Sequence, residues 1–335
     1  MDVANELTLL NLKNQLSPES RFLDSLRNGE EMRTIPIEKE RYLIEGLIAE
    51  GTLTVLGGEE GVGKSMFLMN LGMALASGIQ KFLGWGVNAP AKVLYLNNEM
   101  GYSKFIRRFK SMANGVGSLK LEKFSTPQHF PHFEISKKQL IEYVSAKRPD
   151  LIIFDCMYLM HDADENDASE MKSFIRDVAI FAREYNSAVI LAHHVKKGKR
   201  GDLLNSHSLR GSSAISAFAD NVFLLTRDSK NETERFFRIV KSRDLPDSNR
   251  LHYRLSLNEE TLWFELIEST KSLPLLNKRS IINPEEIFGS DNTLKRKELV
   301  KRLGERKYKS QDKIIKQWVE LGVVNNTRYG EYSVV

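Results

Sequence analysis

The segment GEEGVGKS at residues 58–65 constrains this 335-residue chain more than any other feature. It matches the pattern G-x-x-x-x-G-K-[ST], in which glycines allow backbone N–H groups to converge on a phosphate. The apolar run TLTVLG (52–57) before it predicts a buried strand, and SMFLMNLGMALA (65–76) after it predicts a helix. A strand, a glycine-rich turn and a helix in this order predict a nucleotide-phosphate site.

The residue types within this loop predict ATP and Mg²⁺ as ligands. Lys64 is expected to contact the β- and γ-phosphates, and the Ser65 hydroxyl is expected to bind Mg²⁺. The predicted nucleotide-binding residues are Gly58, Glu59, Glu60, Gly61, Val62, Gly63, Lys64, Ser65 and Met66.

Further apolar runs predict the rest of the fold. KVLYLN (92–97), LIIFD (151–155) and AVILAH (188–193) alternate with helical patterns, which is typical of a parallel sheet with crossover helices. After residue 218, four strand-like segments are joined by short polar turns: NVFLLTR, FFRIVKSR, LHYRLSL and LWFELI. The expected fold is therefore α/β, with a mostly parallel sheet and an antiparallel extension.

Polar residues end three of these strands, at the edge where an α/β sheet binds its ligands. Asp155 ends LIIFD, where an Mg²⁺-associated carboxylate belongs, and Glu99 ends YLNNE, where a carboxylate can polarise the attacking water. Glu59 and Glu60 are rivals of Glu99, but a loop that wraps phosphate is a poor place for a base.

Two histidines, His193 and His194, end the fourth strand and are expected to sense the γ-phosphate. Surface histidines without that role are the alternative. Since no other histidine or cysteine cluster in the sequence completes a ligand set, a zinc site is not expected.

The composition indicates the cellular compartment in which the protein is expected to occur. Cys156 is the only cysteine, so no intrachain disulfide can form. No segment approaches the roughly 18 consecutive apolar residues of a membrane span, and the N-terminus lacks the basic start of a signal peptide. A soluble, cytoplasmic protein is therefore expected.

The net charge of +5 lies in the last 45 residues, which hold 11 basic and 6 acidic side chains, against 38 of each elsewhere. LKRKELVKRLGE and SQDKIIKQWVELG predict two helices before a terminal hairpin, the pattern of a winged helix-turn-helix. We expect phosphate contacts from Lys309, Lys313, Lys316 and Arg328. A basic solvated surface and a protein-docking module are the alternatives.

The predicted domains are an arm (1–32), an ATPase domain (33–270), a linker (271–290) and the C-terminal basic module (291–335).

Six motifs, in their order along the chain, resemble those of the RecA-like hexameric replicative helicases, most closely the plasmid RepA type. They are GGEEGVGKS, YLNNE, LIIFD, LAHHVKKG, SLRGSSAISAFADN and IVKSRD. The resemblance covers about residues 40–267. It implies that Glu99 is the catalytic carboxylate, Asp155 the Mg²⁺-associated aspartate and His194 the γ-phosphate sensor. Lys241 and Arg243 resemble a K-x-R pair that reaches the neighbouring subunit's ATP, and Arg210 is the competing finger.

The same resemblance implies a homo-oligomeric, hexameric ring that moves along single-stranded DNA, with a primase as a candidate replication partner. The loop 198–209 would face the channel, with basic residues at its entrance: Lys196, Lys197, Lys199 and Arg200. The winged helix lies outside the minimal ring and could take duplex DNA. A DNA-binding ATPase that does not unwind, such as a loader or regulator, is the main alternative, and a signalling ATPase with a protein partner is the third.

Overall fold

A computed structural model describes residues 26–37, 39–117, 119–128, 133–156, 168–195, 215, 217–228, 231–245, 251–270, 284–305, 311–320, 324–327 and 330–334. The chain divides into two compact units, Met1–Glu40 and Arg41–Val335, which are described separately. Among the described residues, no helix combines the length and the apolar character that crossing a membrane requires.

Among its described residues, 26–37 and 39–40, the first unit has one short helix, α1 (Gly29–Thr34). A capping box begins it: the Asn28 side chain accepts from the Glu31 N–H at 3.0 Å, and the Glu31 carboxylate accepts from the Asn28 N–H at 3.0 Å. Ile37, just after this helix, is 98% exposed. Residues 1–25, most of the predicted arm (1–32), lie outside the described residues, so the arm stays a prediction.

The second unit is built on a nine-stranded sheet in the order β13-β12-β11-β10-β3-β9-β8-β6-β7. Its strands are β3 (Leu53–Gly58), β6 (Val93–Asn97), β7 (Phe124–Ser125), β8 (Leu151–Asp155), β9 (Ala188–His194), β10 (Asn221–Arg227), β11 (Glu234–Lys241), β12 (His252–Leu257) and β13 (Phe264–Thr270). Six strands are parallel to one another; in sheet order they are β10, β3, β9, β8, β6 and β7. On the other side of β10, the neighbouring strands β10, β11, β12 and β13 pair antiparallel. The predicted parallel sheet with an antiparallel extension is confirmed.

Helices cover both faces of the parallel strands, which is why those strands are apolar throughout. The helices are α2 (Lys64–Ser77), α3 (Tyr102–Gly115), α4 (Phe133–Lys147) and α5 (Ala168–Glu184). Apolar residues of α2 and α3 share one core cluster, and those of α4 and α5 share the cluster on the other face. The helix α4 was not predicted, although Leu140 and Val144 of its described residues pack into the core four positions apart.

Three short strand pairings were also not predicted. Two are hairpins at the margins of the core: β1 (Tyr42–Ile44) with β2 (Ile48–Ala49), and β4 (Lys81–Phe82) with β5 (Trp85–Gly86). The third is β7, a two-residue strand beside β6. Segments this short carry too few residues to show strand periodicity.

The turn between β12 and β13 connects the antiparallel extension to the phosphate-loop helix. The Asn70 side chain on α2 accepts from the Phe264 N–H at 2.9 Å and donates to the Leu262 carbonyl at 3.2 Å. The indole N–H of Trp263 donates to the Met112 carbonyl of α3 at 2.9 Å. Because these partners are buried, the extension holds α2 and α3 in place.

Lowering the pH is expected to destabilise the fold through His252. Burial, with a smaller contribution from the charge of Arg238, lowers the pKa of His252 from 6.5 to about 4. The unfolded chain therefore takes up this proton below about pH 6.5 while the folded chain does not until about pH 4, so the free energy of unfolding falls between these values. Urea unfolding at several pH values should show this loss, and His252→Gln should reduce it. An unchanged pH dependence in the variant would assign the effect to other groups.

The C-terminal residues of the second unit form their own apolar cluster around Trp318, which is 1% exposed. The elements are α6 (Pro284–Phe288), β14 (Thr293–Lys295), α7 (Arg296–Glu305), α8 (Gln311–Glu320), β15 (Val324–Thr327) and β16 (Glu331–Val334). The strands form an antiparallel sheet in the order β14-β16-β15. The two predicted helices and the terminal hairpin are present, while the winged-helix assignment and the domain boundaries stay predictions.

Candidate nucleotide-binding site

The phosphate loop connects the end of β3 to the start of α2 and depends on its glycines. Gly61 and Gly63 have φ values of 72° and 106°, in the left-handed region that L side chains rarely adopt. A Cβ on Gly58 would lie 2.7 Å from the Leu225 carbonyl oxygen, so no side chain fits there without movement. The backbone therefore requires both motif glycines, Gly58 and Gly63, and also favours glycine at position 61.

Two arginines on the neighbouring strands hold the loop from outside. Arg227 of β10 donates to the Gly61 carbonyl at 2.8 Å, and the Arg235 Nε of β11 donates to the Val62 carbonyl at 2.6 Å. Arg235 is 4% exposed, and burial lowers its pKa. Fixing two successive carbonyls orients the peptide planes of the loop before any ligand binds. Neither arginine was predicted as part of the site, since an arginine within a strand carries no signal of its partner.

Lys64 lies at the centre of the site. Its ammonium donates to the Gly58 and Glu59 carbonyls at 2.9 and 3.0 Å and lies 3.3 Å from His194 Nδ1. Burial lowers the pKa of Lys64, while the nearby carboxylates of Glu99 and Asp155 oppose that shift. A cation held among carbonyls at the start of a helix is well placed to exchange these contacts for phosphate oxygens.

Ser65, Asp155 and Tyr95 form a hydrogen-bonded group beside the lysine. Asp155 accepts from the Ser65 hydroxyl at 3.2 Å and from the Tyr95 hydroxyl at 2.6 Å. Burial raises the pKa of Asp155, and the two hydrogen bonds counteract this by favouring the carboxylate. A hydroxyl and a buried carboxylate this close fit the oxygen ligands that Mg²⁺ prefers. Tyr95 was not predicted, although a tyrosine within a buried strand requires a hydrogen-bond partner.

Replacing Tyr95 by phenylalanine is expected to lower the free energy of unfolding by about 1.5–3 kcal/mol, because a buried carboxylate loses a charge-assisted hydrogen bond. Urea unfolding measures this change. Tyr185→Phe is the matched control, since it removes the hydroxyl of a half-buried tyrosine just after α5. Equal effects of the two substitutions would show that the bond to Asp155 has no special weight.

Glu99 and His194 approach each other at the same edge of the sheet. Ligand atoms of Glu99, Cys156 and His194 all lie within 4.8 Å of one another. Glu99 is exposed, His194 is half-buried, and Cys156 is fully buried. Because His194 also lies beside Lys64, the structure brings the predicted sensor, the predicted carboxylate and the phosphate-binding lysine into one site. His193 is fully buried and lies on the adjacent position of β9.

Lys241 and Arg243 do not belong to this cluster. Arg243 pairs with Asp220 at 3.0 Å, and Lys241 donates to the Ala219 carbonyl. Asp220 in turn accepts from the Leu53 N–H, at the beginning of β3. Since the phosphate loop follows the other end of that strand, about 17 Å away at 3.3 Å per residue, these two cations lie far from the loop of their own chain.

The remaining predicted residues are only partly described. Glu59 and Glu60 are exposed on the loop, Met66 is half-buried, and Lys316 is exposed on α8. Lys313 lies on α8, where its side chain is not described. Outside the described residues lie Lys196, Lys197, Lys199, Arg200, Arg210, Lys309 and Arg328, so their predicted contacts stay predictions.

A glycine-rich phosphate loop, a buried lysine and a serine–aspartate pair on a mostly parallel sheet define the class of P-loop ATPases. Residues 17–200, more than half of the chain, match the model of the AAA domain family AAA_25. The chain belongs to this family.

Known relatives are similar to this chain at low identity. The DNA repair protein RadA of Chlamydia pneumoniae is 24% identical over 213 residues, 62% of this chain and 40% of that protein. RadA of Haemophilus influenzae is 24% identical over 200 residues, 58% of this chain and 39% of that protein. The chain therefore matches about two fifths of the length of these relatives.

A solved structure shows the same fold. The KaiC-like protein of Pyrococcus horikoshii OT3 aligns with a TM-score of 0.50 and 16% identity, covering 70% of this chain and all of that one. The core is a RecA-like α/β ATPase fold.

Proposed function

We propose that the chain is a DNA-dependent ATPase that works as a homo-oligomer, in which each ATP site is completed by a neighbouring copy. The observation that carries the proposal is the position of Lys241 and Arg243. Both lie near the beginning of β3, at the edge opposite the chain's own phosphate loop. A cation that stabilises the γ-phosphoryl can come from a second subunit, and such fingers contribute about 10³–10⁵ in rate.

The residues around the phosphate loop have distinct roles in this proposal. Lys64 binds the β- and γ-phosphates. Ser65 and Asp155 would hold Mg²⁺, which would supply neutralisation of the charge on the phosphate oxygens. Tyr95 keeps the Asp155 carboxylate oriented through its hydroxyl. Glu99, exposed at the mouth of the site, accepts the proton of the attacking water.

His194 is suited to report the state of the nucleotide. It contacts the Lys64 ammonium at 3.3 Å, and that ammonium also binds two loop carbonyls. When Lys64 turns to a phosphate, the histidine loses or changes this contact. His194 ends β9, from which the chain continues to the basic segment at residues 196–200. A change in the contact between His194 and Lys64 can therefore alter the conformation of the predicted DNA-binding segment that follows.

DNA as the activating ligand is supported by two observations. The relatives that align with this chain are named DNA repair proteins. The basic charge is concentrated in the C-terminal 45 residues, which suits a phosphate backbone. Strand unwinding by a hexameric ring is the finer form of the proposal, taken from the helicase resemblance. A DNA-binding ATPase that does not unwind is the second candidate, because a small basic module suits a loader or regulator equally well.

The test is the ATPase rate per subunit against protein concentration, with and without single-stranded DNA, alongside light scattering. A rate that rises with assembly and with DNA supports the proposal. A monomer whose rate is indifferent to DNA would contradict it. A forked-duplex unwinding assay then separates the two candidates, since only a helicase releases the displaced strand.

The C-terminal module is expected to contact DNA through α8. Replacing the exposed Lys316 by glutamine should reduce the slope of log affinity against log salt by about 0.9, the contribution of one phosphate contact. Fluorescence anisotropy across a salt series measures this. Lys301→Gln on α7 is the matched control, because it removes the same charge from a lysine paired with Glu305. Identical slopes for both variants would indicate that α8 does not face DNA.

A further inference from the structure

The most unusual group of side chains at the site is Glu99, Cys156 and His194. A catalytic carboxylate and a sensor histidine are accounted for by ATP hydrolysis, but a thiol has no part in that chemistry. A zinc site was not expected from the sequence, because no other histidine or cysteine cluster completes a ligand set with His193 and His194. The structure supplies such a cluster from the ends of three neighbouring strands, β6, β8 and β9.

The geometry of the three ligand atoms suits a transition-metal ion. A tetrahedral zinc site has metal–ligand distances of about 2.0–2.3 Å, which place its ligands roughly 3.3–3.8 Å apart. The carboxylate oxygen, thiol sulfur and imidazole nitrogen lie within 4.8 Å of one another, so a shift of about 1 Å would bring them into range. Glu99 is exposed and follows the end of β6, which gives it room to make this movement.

The chemistry of the donors selects the kind of ion. Mg²⁺ prefers oxygen ligands only, which Ser65 and Asp155 provide, whereas a thiolate and an imidazole select zinc-like metals. Three protein ligands leave a fourth position for water, as in open zinc sites. The Lys64 ammonium lies 3.3 Å from His194 Nδ1, so an ion bound to that nitrogen would have to displace it.

We propose that Glu99, Cys156 and His194 form a second metal site, distinct from the Mg²⁺ position, that binds a thiophilic divalent cation such as Zn²⁺. The site rests on geometry alone. Its consequence rests on the proposed function: a metal that holds Glu99 and His194 removes the water-activating carboxylate and the sensor, so zinc inhibits hydrolysis.

Cobalt substitution tests the site directly in the full chain. Because Cys156 is the only cysteine, a thiolate-to-cobalt charge-transfer band can come only from this residue. The band is expected on titration with Co²⁺, is expected to disappear in Cys156→Ser, and should decline when Zn²⁺ is added. Co²⁺ that binds without the band would overturn the proposal.

Two carboxylate variants provide a second measurement that does not depend on replacing the buried cysteine. Glu99→Gln should weaken Co²⁺ binding by about tenfold or more, since changing even the hydrogen-bond partners of metal ligands costs about 10–100-fold in affinity. Glu122→Gln, which alters another exposed carboxylate, should leave the affinity unchanged. Equal affinities of all three proteins would also overturn the site.

Hydrolysis measured with added Zn²⁺ separates the site from its consequence. In the parent chain, zinc should inhibit the ATPase, and Cys156→Ser should need about tenfold more zinc for the same inhibition. A charge-transfer band with the expected variant pattern but without inhibition supports the metal site, and it counts against the proposed role of Glu99.

Discussion

Replacing Glu99 by glutamine should reduce the rate of ATP hydrolysis by about 10²- to 10⁴-fold, the usual contribution of a general base. ATP binding should persist, because Lys64, Ser65 and Asp155 are unchanged and the amide has nearly the shape of the carboxylate. Single-turnover hydrolysis measures the first quantity, and equilibrium binding of a fluorescent ATP analogue measures the second.

Glu60→Gln is the control that decides between the rival carboxylates. Glu60 is exposed on the phosphate loop and lies within the motif itself, whereas Glu99 is 34 positions beyond Ser65. If Glu60 were the base, its variant would lose hydrolysis and Glu99→Gln would not. A comparable loss in both variants would mean that the acidic charge of the site matters more than any one base.

The second large effect is expected at Arg243. Its replacement by alanine should lower the rate of the assembled, DNA-bound protein by about 10³- to 10⁵-fold, as for other arginines supplied by a neighbouring subunit. Arg183→Ala is the matched control. Both arginines are 51% exposed and both pair with Asp220, at 3.0 Å from Arg243 and 3.5 Å from Arg183. Arg183→Ala should retain the rate to within a few-fold, since Asp220 keeps its contacts with Arg243 and with the Leu53 N–H.

Mixing two inactive variants tests whether Arg243 acts on its neighbour. In an equal mixture of Arg243→Ala and Glu99→Gln, about a quarter of the interfaces would combine an intact Glu99 with an intact Arg243 from the adjacent subunit. Partial recovery of hydrolysis is therefore expected. No recovery in verified mixed oligomers would contradict action of Arg243 on the neighbouring subunit. An Arg243→Ala variant that keeps its rate by itself would instead favour Arg210 as the finger.

The phosphate loop and the strands around it could be predicted because their signals are local. Gly61 and Gly63 occupy backbone conformations that only glycine adopts readily, so the glycines in this segment directly predict the turn. Apolar runs such as residues 151–155 are buried on both sheet faces, and this requirement appears directly in composition. The positions of Asp155 and Glu99 followed, because parallel strands end at one edge.

The contacts around that edge could not be predicted, because they join residues far apart in the chain. Arg235 reaches Val62 across 173 positions, and Tyr95 reaches Asp155 across 60. No local pattern states which carbonyl a strand arginine will bind, or that Cys156 will lie beside Glu99 and His194. Sequence alone therefore determined the phosphate loop, the succession of strands with the polar residues at their ends, and the basic tail. Only the tertiary structure decided which side chains meet, because sheet register and helix packing set distances that sequence separation does not encode.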